Sequence, residues 1–204
     1  MTKRRYGPEA ELNAIAHTIS DSIHRISALN ACGDYSQIMT WVIDKKLACA
    51  TRPLRCHHIY GGSGKTLPVE AKPDLDRWIQ GIKGGGIVSI IALVSKKELS
   101  HYRLLLADGI TLIDFYKGVG FKVCHIPWSD PAHTGYVNFN AEVLEKWPAL
   151  IAAYDKLPKP VLVHCSAAID RSPPVVAHVV YELRRRNEAV GVSPYPKEVC
   201  KKSK

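Results

Sequence analysis

The sequence lacks a long uninterrupted apolar run, and its N-terminal segment is not apolar. No stretch approaches the roughly 18 consecutive apolar residues that a membrane-spanning helix needs. The first residues, MTKRRYGPEAEL, turn polar and acidic where a secretory signal peptide is apolar. We therefore expect a cytoplasmic protein without a membrane span.

Acidic residues are scarce relative to basic ones. The chain has 28 Lys and Arg residues against 19 Asp and Glu residues, which gives a formal charge of +9. Such an excess favours anionic partners, including phosphate esters, nucleic acids and acidic membrane surfaces. Part of it lies in runs at 3–5, 184–186 and 201–204, and such runs are typical of solvated faces and tails. We therefore expect a phosphate-bearing substrate and no nucleic acid partner.

Cysteine pairs with metal-binding spacing are absent from the sequence. None of the six cysteines belongs to a CxxC motif or to a cluster of metal ligands. This scatter predicts free thiols in a reducing compartment and no metal site, and the chemistry predicted below implies no cofactor. One cysteine, Cys165, has neighbours that predict a chemical role.

The chain of 204 residues, 46% of them hydrophobic, is long enough for one globular domain with a core. Residues 1–52 are predicted to form a helical extension packed on that core, because one apolar stripe repeats at helical spacing. The stripe consists of Leu12, Ile15, Ile19, Ile23 and Ile26. We predict that residues 53–190 form the main α/β domain and that residues 191–204 form a basic tail.

Beyond residue 52, candidate strands alternate with candidate helices. The predicted strands are Leu54–Tyr60, Ile87–Val94, Phe121–Ile126 and Val161–His164. The predicted helices begin at Pro73 and at Lys96, include Val143–Tyr154, and follow Pro173. This alternation predicts an α/β fold with a central, mostly parallel sheet flanked by helices.

The residues HCSAAIDRS, at 164–172, connect the last predicted strand to the last predicted helix. Backbone N–H groups and the positive end of a helix dipole converge in such a loop and form an anion site. A thiol there is expected to ionise readily, and a thiolate is the nucleophile that phosphate transfer requires. A guanidinium at Arg171 can hold two phosphate oxygens. We therefore predict that Cys165 is the nucleophile and that Arg171 binds the phosphoryl group.

This pattern, H-C-x5-R-S, resembles the signature loop of the cysteine-based protein tyrosine phosphatase superfamily and of its dual-specificity members. The resemblance implies a protein tyrosine phosphatase-like fold and a phosphocysteine intermediate. It also implies that Ser172 donates a hydrogen bond to the departing thiolate and that His164 orients the loop. The implied substrate-binding residues are Ser166, Ala167, Ala168, Ile169, Asp170 and Arg171.

Upstream, the residues WSDP at 128–131 are similar to the family's WPD-type loop. The resemblance implies that Asp130 is the general acid that protonates the leaving oxygen. Asp170 is the alternative, because an Asp-Arg pair is similar to the loops of myotubularins and of certain bacterial phosphatases. The chain departs from the family at Ala168, where glycine is usual, and the Cβ is expected to crowd the loop or the phosphate.

A second glycine-rich segment, GGSGKT at 61–66, is similar to the end of a nucleotide-binding P-loop. The first glycine of that motif is missing, because Ile59 occupies its place, and Pro68 interrupts the helix that should follow. We interpret the segment as a surface loop in which Lys65 borders the active-site mouth.

The sequence therefore predicts a phosphatase domain at 53–190 that hydrolyses phosphate monoesters through Cys165. Phosphotyrosine in a protein is the first substrate we consider, with phosphoserine and phosphothreonine next. A phosphoinositide or an RNA 5′-phosphate stays open as a substrate. The alternative from another class is an inactive module that binds phosphate without turnover.

Overall fold

A five-stranded sheet organises the protein, whose computed structural model describes residues 8–129 and 139–188. The strands are β1 (Thr40–Ile43), β2 (Leu47–Ala50), β3 (Ser89–Ala92), β4 (Lys122–His125) and β5 (Val161–His164). Their order across the sheet is β1-β2-β5-β3-β4. The pair β1 and β2 is antiparallel, and the other neighbours are parallel. The predicted α/β fold with a mostly parallel sheet is confirmed.

Helices cover both faces of this sheet. They are α1 (Pro8–Ala31), α2 (Lys72–Gly84), α3 (Lys96–Leu99), α4 (Leu112–Gly118), α5 (Phe139–Lys156) and α6 (Ser172–Arg185). Side chains of α1, α5 and α6 form one buried cluster with the sheet, and side chains of α2 and α4 form another. Strand β5 contributes side chains to both clusters, since Val161 and Val163 belong to the first and Leu162 belongs to the second.

The predicted N-terminal helix is present as α1, and its apolar stripe faces the sheet. Ile19 and Ile23 are fully buried, and the helix packs against α6. The helix ends at Ala31, because Gly33 adopts a φ of 85° and its N–H donates to the carbonyl of Asn30. The prediction that the helical region continues to residue 52 is therefore wrong.

Residues 40–50 instead form the hairpin of β1 and β2, and β2 is the neighbour of β5 in the sheet. The predicted strand Leu54–Tyr60 is wrong, because this segment consists of turns. Leu54 has a φ of 61°, and Nδ1 of His57 accepts the N–H groups of Ile59 and Tyr60. Those amides are unavailable to a sheet, and the strand that pairs with β5 on this side is β2.

The segment after β3 also differs from its prediction. The helix predicted from Lys96 is a single turn, α3, followed by a 3₁₀ turn over Ser100–Tyr102. Helix α4 was not predicted, although Thr111 and Asp114 form a capping box at its start. The predicted strands at 87–94, 121–126 and 161–164 correspond to β3, β4 and β5, two of them with shorter bounds.

Two predicted features lie outside the described residues, namely Asp130 and the basic tail at 191–204. Within the described residues, no helix has both the length and the apolar character needed to cross a bilayer.

Candidate active site

The loop predicted to carry the chemistry joins the end of β5 to the start of α6. Strand β5 ends at His164 in the middle of the sheet, and α6 begins at Ser172. Pro173 and Pro174 occupy the first turn of the helix, where the missing N–H of proline costs no hydrogen bond. The loop 165–171 therefore lies at the carboxyl edge of the sheet and at the amino end of a 14-residue helix.

Cys165 lies at the base of this loop. The residue is only 1% exposed, and its Sγ accepts a hydrogen bond from the backbone N–H of Ala168 at 3.2 Å. Ala168 reaches this position with a φ of 52°, in the left-handed region that glycine adopts most easily. The alanine that departs from the family pattern thus adopts the backbone conformation in which a glycine would be unstrained.

Arg171 is buried beside the loop, with 2% of its surface exposed. Its Nη1 and Nη2 donate to Oε2 and Oε1 of Glu98 at 2.8 and 2.6 Å. Nη1 also lies 2.8 Å from the carbonyl oxygen of Trp128 and 3.3 Å from that of Leu93. This two-point ion pair fixes the plane of the guanidinium, which is the property that bidentate recognition of a phosphate requires.

Glu98 is held in turn by the start of α3. Its carboxylate accepts from the N–H of Ser95, and the hydroxyl of Ser95 accepts from the N–H of Glu98, which together form a capping box. Burial alone would raise the pKa of Glu98, but hydrogen bonds and charge attraction from Arg171 outweigh it and lower the pKa to about 2. Glu98 is therefore an anion near neutral pH, and it compensates the charge of Arg171.

His164 supports the loop from beneath as a neutral side chain. Burial lowers its pKa to about 4. Its Nδ1 lies 3.1 Å from the carbonyl oxygen of Cys165, and its Nε2 lies 3.2 Å from the hydroxyl of Tyr116. A carbonyl can only accept, so Nδ1 carries the proton and Nε2 accepts from Tyr116. These contacts agree with the orienting role that the family resemblance implies for His164.

A second buried arginine, Arg52, also contacts the loop. It is 1% exposed, its N–H donates to the carbonyl of Ser166 at 2.9 Å, and its Nε lies 3.3 Å from the hydroxyl of the same serine. Its other nitrogens reach the hydroxyl of Tyr102 and the carbonyl of Gly62, each at 3.3 Å. Arg52 therefore connects the loop at Ser166 with Tyr102 and with Gly62.

Ser172 lies at the first position of α6 and is fully buried. Its hydroxyl has no hydrogen-bond partner among residues 8–129 and 139–188. The predicted donation from Ser172 to the sulfur of Cys165 is therefore not made in this conformation.

A cavity of about 570 Å³ opens beside the loop. Ser166 lines it from the loop, Lys96 and Lys97 line it from α3, and Trp128 lines it from the segment after β4. Ser63 and Gly64, next to Lys65, line it from the glycine-rich segment. Lys65 itself is not among the residues that line this cavity, so its place at the active-site mouth stays a prediction.

Trp128 links this cavity to α5. The residue is 5% exposed, and its indole N–H donates to Oε2 of Glu142 at 2.5 Å. The Nζ of Lys146 lies 5.5 Å from the centre of the indole ring, within range of a cation–π contact. The tryptophan of the WSDP segment is thus anchored on one side by Arg171 and on the other by α5.

The structure brings together most of the predicted site residues. Residues 164–172 run from the last residue of β5 through the loop, which includes Asp170, to the first residue of α6, whereas Asp130 lies outside the described residues. No group of three or more potential metal ligands occurs in the part of the chain that the structure describes.

Three supporting residues were not predicted. The capping-box pattern Ser95-x-x-Glu98 could have located the start of α3, but it does not indicate that Glu98 contacts Arg171. Arg52 and Tyr116 leave no such signal, since only the folded chain brings them next to Ser166 and His164.

No protein-family model matches the chain, and a search of curated proteins found no match. The family resemblance accordingly rests on the residues at 128–131 and 164–172 and on the context of those residues in the fold.

Proposed function

We propose that the protein is a cysteine-dependent phosphatase that hydrolyses phosphate monoesters. The observation that carries this proposal is the arrangement of Cys165 and Arg171. A sulfur that accepts a backbone N–H lies in a strand-to-helix loop, and a buried arginine, oriented by Glu98, closes the same loop. This combination supplies a nucleophile and a fixed cation to a tetrahedral anion.

In the first step, the thiolate of Cys165 attacks the phosphorus atom of the ester. The P–S bond forms while the bond from phosphorus to the ester oxygen breaks. The guanidinium of Arg171 stabilises the charge that spreads over the equatorial oxygens. The leaving oxygen takes a proton from a carboxylic acid, for which Asp130 is our first candidate and Asp170 the second.

In the second step, water attacks the phosphocysteine. A P–O bond forms while the P–S bond breaks, the carboxylate left by the first step takes a proton from the water, and the sulfur leaves as a thiolate. Ser172 lies at the end of the same loop, and its buried hydroxyl is the donor that we assign to this departing thiolate. His164 keeps its proton on Nδ1 and positions the loop without transferring that proton.

The substrate that we propose is a phosphorylated protein, with phosphotyrosine as the first residue to test. Lys96 and Lys97 give the cavity beside the loop a basic rim, which favours an anionic substrate. A phosphoinositide or an RNA 5′-phosphate is a second substrate class that the same rim would favour.

The experiment that tests this proposal is hydrolysis of para-nitrophenyl phosphate by the full chain. We expect turnover, competitive inhibition by vanadate, and complete loss of turnover in Cys165→Ser. The matched control is Cys32→Ser, because Cys32 is an exposed thiol far along the chain from the loop. Absence of turnover in the folded wild-type protein would contradict the proposal.

The general acid is identified by comparing Asp130→Asn with Asp170→Asn. Replacement of the true acid should slow hydrolysis of an alkyl phosphate more than hydrolysis of para-nitrophenyl phosphate, because an alkoxide leaving group needs protonation far more than nitrophenolate does. Replacement of the other aspartate should not have this effect. Replacement of the true acid should also flatten the basic limb of the pH profile for kcat.

The second candidate function is a module that binds phosphate without turnover. The specific observation in its favour is the Cβ of Ala168, which is fully buried in the loop. Tight binding of a phosphotyrosine peptide without hydrolysis would support this alternative, provided that the wild-type protein unfolds cooperatively.

A further inference from the structure

One histidine beside the loop has no role in the mechanism proposed above. His101 lies in the 3₁₀ turn after α3, and it lines the cavity that Ser166, Lys96 and Lys97 also line. Its backbone carbonyl accepts the N–H of Leu67 at 2.8 Å, which fixes the position of the turn. The residue is only 7% exposed, so it belongs to the wall of the cavity and does not extend into open solvent.

The ring of His101 has hydrogen-bonding capacity that the protein does not use. It makes no hydrogen bond among residues 8–129 and 139–188. Its nitrogens are not among the fully enclosed polar atoms without a partner in that part of the chain, so they keep surface that a ligand atom can touch. Most buried polar side-chain atoms have a partner, and a nitrogen that stays open to a cavity is available to a ligand.

Two charged side chains are neighbours of both His101 and the loop. Arg52 contacts the loop at Ser166, with 3.3 Å between Nε and the hydroxyl oxygen, and it also interacts electrostatically with His101. Glu98 contacts the loop at Arg171, and it likewise interacts with His101. An anion bound beside the loop would therefore act on the ring of His101 as well.

The charges around His101 are mainly positive. Burial lowers the pKa of His101, and the charges of Arg52, Lys97 and Arg103 lower it further. Glu98 acts in the opposite direction, but both of its carboxylate oxygens already bind an arginine. It is the only carboxylate among the described residues that line the cavity. His101 is therefore neutral near pH 7 when no anion is bound.

We propose that His101 is a substrate-binding residue of this cavity. One ring N–H donates to an oxygen of the bound phosphate ester, and the ring takes up a proton from the solvent as the ester binds. The negative charge of the ester offsets the repulsion from Arg52 and Lys97, so the imidazolium form becomes favourable. This inference rests on the proposed function for the identity of the anion, whereas binding and proton uptake need no turnover.

Proton uptake makes the affinity for the anion depend on pH. The bound anion raises the pKa of His101, so the complex keeps the proton up to a higher pH than the free protein does. Above both pKa values the ring is neutral with and without the anion, and below both it is charged in either state. Between them, affinity rises as the pH falls, by at most about tenfold per pH unit for one proton.

The test is an NMR titration of the full Cys165→Ser chain with sulfate, between pH 5.5 and 8, at constant ionic strength. Sulfate stays a dianion over this range, and the serine removes the titrating thiol. The ring signals of the histidines are recorded at each pH with and without sulfate, and His101 is assigned through its own backbone. We expect sulfate to shift the amides of 165–171, to raise the pKa of His101, and to bind more tightly at pH 6 than at pH 8.

His101→Asn, made in the Cys165→Ser chain, keeps a donor of similar size but does not titrate. We expect it to lose most of the pH dependence of sulfate binding. The matched control is His24→Asn, at an exposed histidine of α1 outside the cavity, which should bind sulfate as the parent does. The ring titration of the parent chain needs no change at residue 101, so it decides the question even if His101→Asn does not fold.

Turnover provides a further readout in the chain that keeps Cys165. If His101 contacts the ester, His101→Asn should raise KM for para-nitrophenyl phosphate at least about threefold and change kcat by less than about twofold, as expected for a contact made equally in the ground state and the transition state.

Three results would overturn this inference. One is the absence of saturable sulfate binding at the loop. Another is sulfate binding that shifts the loop amides and leaves the pKa of His101 unchanged. The third is the same pH dependence of binding in the parent and in His101→Asn. A phosphatase that gave these results would still support the proposed function, whereas proton uptake at His101 without turnover would overturn the proposed function alone.

Discussion

At the scale of single residues, the backbone conformation and the side chain of Ala168 have opposite effects on stability. Its φ of 52° is a conformation in which a Cβ costs about 1 kcal/mol. Its methyl group is fully buried, and burial of one such group stabilises by about 0.8 kcal/mol. Because these contributions nearly cancel, an alanine here is compatible with the fold although glycine fits the backbone better.

We predict that Ala168→Gly changes the free energy of unfolding by less than about 1 kcal/mol, since relief of strain offsets the lost methyl group. Ala168→Val should destabilise the protein by about 2 kcal/mol or more, because a β-branched residue is poorly tolerated at positive φ and the site is full. Urea denaturation measures both. The control is Ala167→Gly, which has no positive φ to relieve and should lose about 0.5–1 kcal/mol.

If the phosphatase proposal is correct, Ala168→Gly should also retain turnover of para-nitrophenyl phosphate. A loss of more than about 2 kcal/mol of stability in this variant would show that the methyl group, and not the backbone, dominates at this position.

His164 predicts a specific dependence of stability on pH. Its pKa is about 4 in the folded protein against 6.5 for an ordinary histidine, so the unfolded chain binds its proton first as the pH falls. Stability from this group is complete above pH 6.5 and is lost as the pH falls toward 4. The slope from one such group is about 1.4 kcal/mol per pH unit within that window.

We predict that His164→Asn reduces this slope, because asparagine keeps a donor for the carbonyl of Cys165 but does not titrate. The measurement is the free energy of unfolding in urea from pH 7.5 to 4.5. His17→Asn, at an exposed position on α1, serves as the control. An identical slope for wild type and His164→Asn would contradict the neutral assignment.

At the scale of secondary-structure elements, the one-turn helix α3 positions the guanidinium of Arg171. The capping box at Ser95 stabilises the turn, and the turn presents Glu98 to Arg171. Both partners of this ion pair are buried, with side chains 2% and 9% exposed, so removal of one charge leaves the other without compensation.

We predict that Glu98→Gln destabilises the protein by about 3 kcal/mol and lowers kcat at least tenfold, because Arg171 loses its charged partner. Ser95→Ala should cost only about 1 kcal/mol, and kcat should change little, because the carboxylate stays in place. Urea denaturation and steady-state kinetics separate the two. Equal effects of both variants on kcat would show that the cap, and not the charge, holds the arginine.

The elements that could be predicted are those whose own residues determine them. The run VLVH at 161–164 is apolar and β-branched, and it forms the central strand β5. The hairpin of β1 and β2 was missed because LACA at 47–50 has no strand-specific pattern and gains its place only by pairing with β5. The reverse error occurred at 54–60, where a strand-like composition is overridden by the side chain of His57.

The same distinction applies to the candidate site. The loop 164–172 could be located from the sequence because all its residues are consecutive. Glu98 and Arg52, in contrast, reach the loop from segments more than 70 residues away in the chain. Their contacts depend on the order of the strands, which the sequence pattern does not specify.

At the scale of the whole molecule, the N-terminal helix and the hairpin belong to the same folded unit as the loop. Ile19 and Ile23 lie in the cluster that also contains Cys165 and Val163. The hydroxyl of Ser20 lies 3.4 Å from the carbonyl oxygen of Ile169, within the loop itself. A division of the chain at residue 52 would separate β2 from β5.

We predict that a chain comprising residues 53–204 does not fold cooperatively, because it lacks α1, β1 and β2. The measurement is circular dichroism during urea denaturation, with the full chain as the reference. As a milder version, Ile19→Ala should cost about 2–5 kcal/mol, whereas Ile59→Ala, at a residue that is 61% exposed, should cost less than about 0.5 kcal/mol. Cooperative unfolding of residues 53–204 would contradict this view of a single unit.

Arg52 has a consequence for the molecule as a whole. Arg171 has Glu98 as its counterion, but no carboxylate of residues 8–129 or 139–188 forms an ion pair with the buried Arg52. Arg52 is therefore a buried cation beside the loop whose side-chain partners are hydroxyl and carbonyl oxygens and not a carboxylate. A dianion bound in the loop would supply the counterion that Arg52 lacks. Binding should therefore raise the melting temperature of the protein even when the anion cannot react.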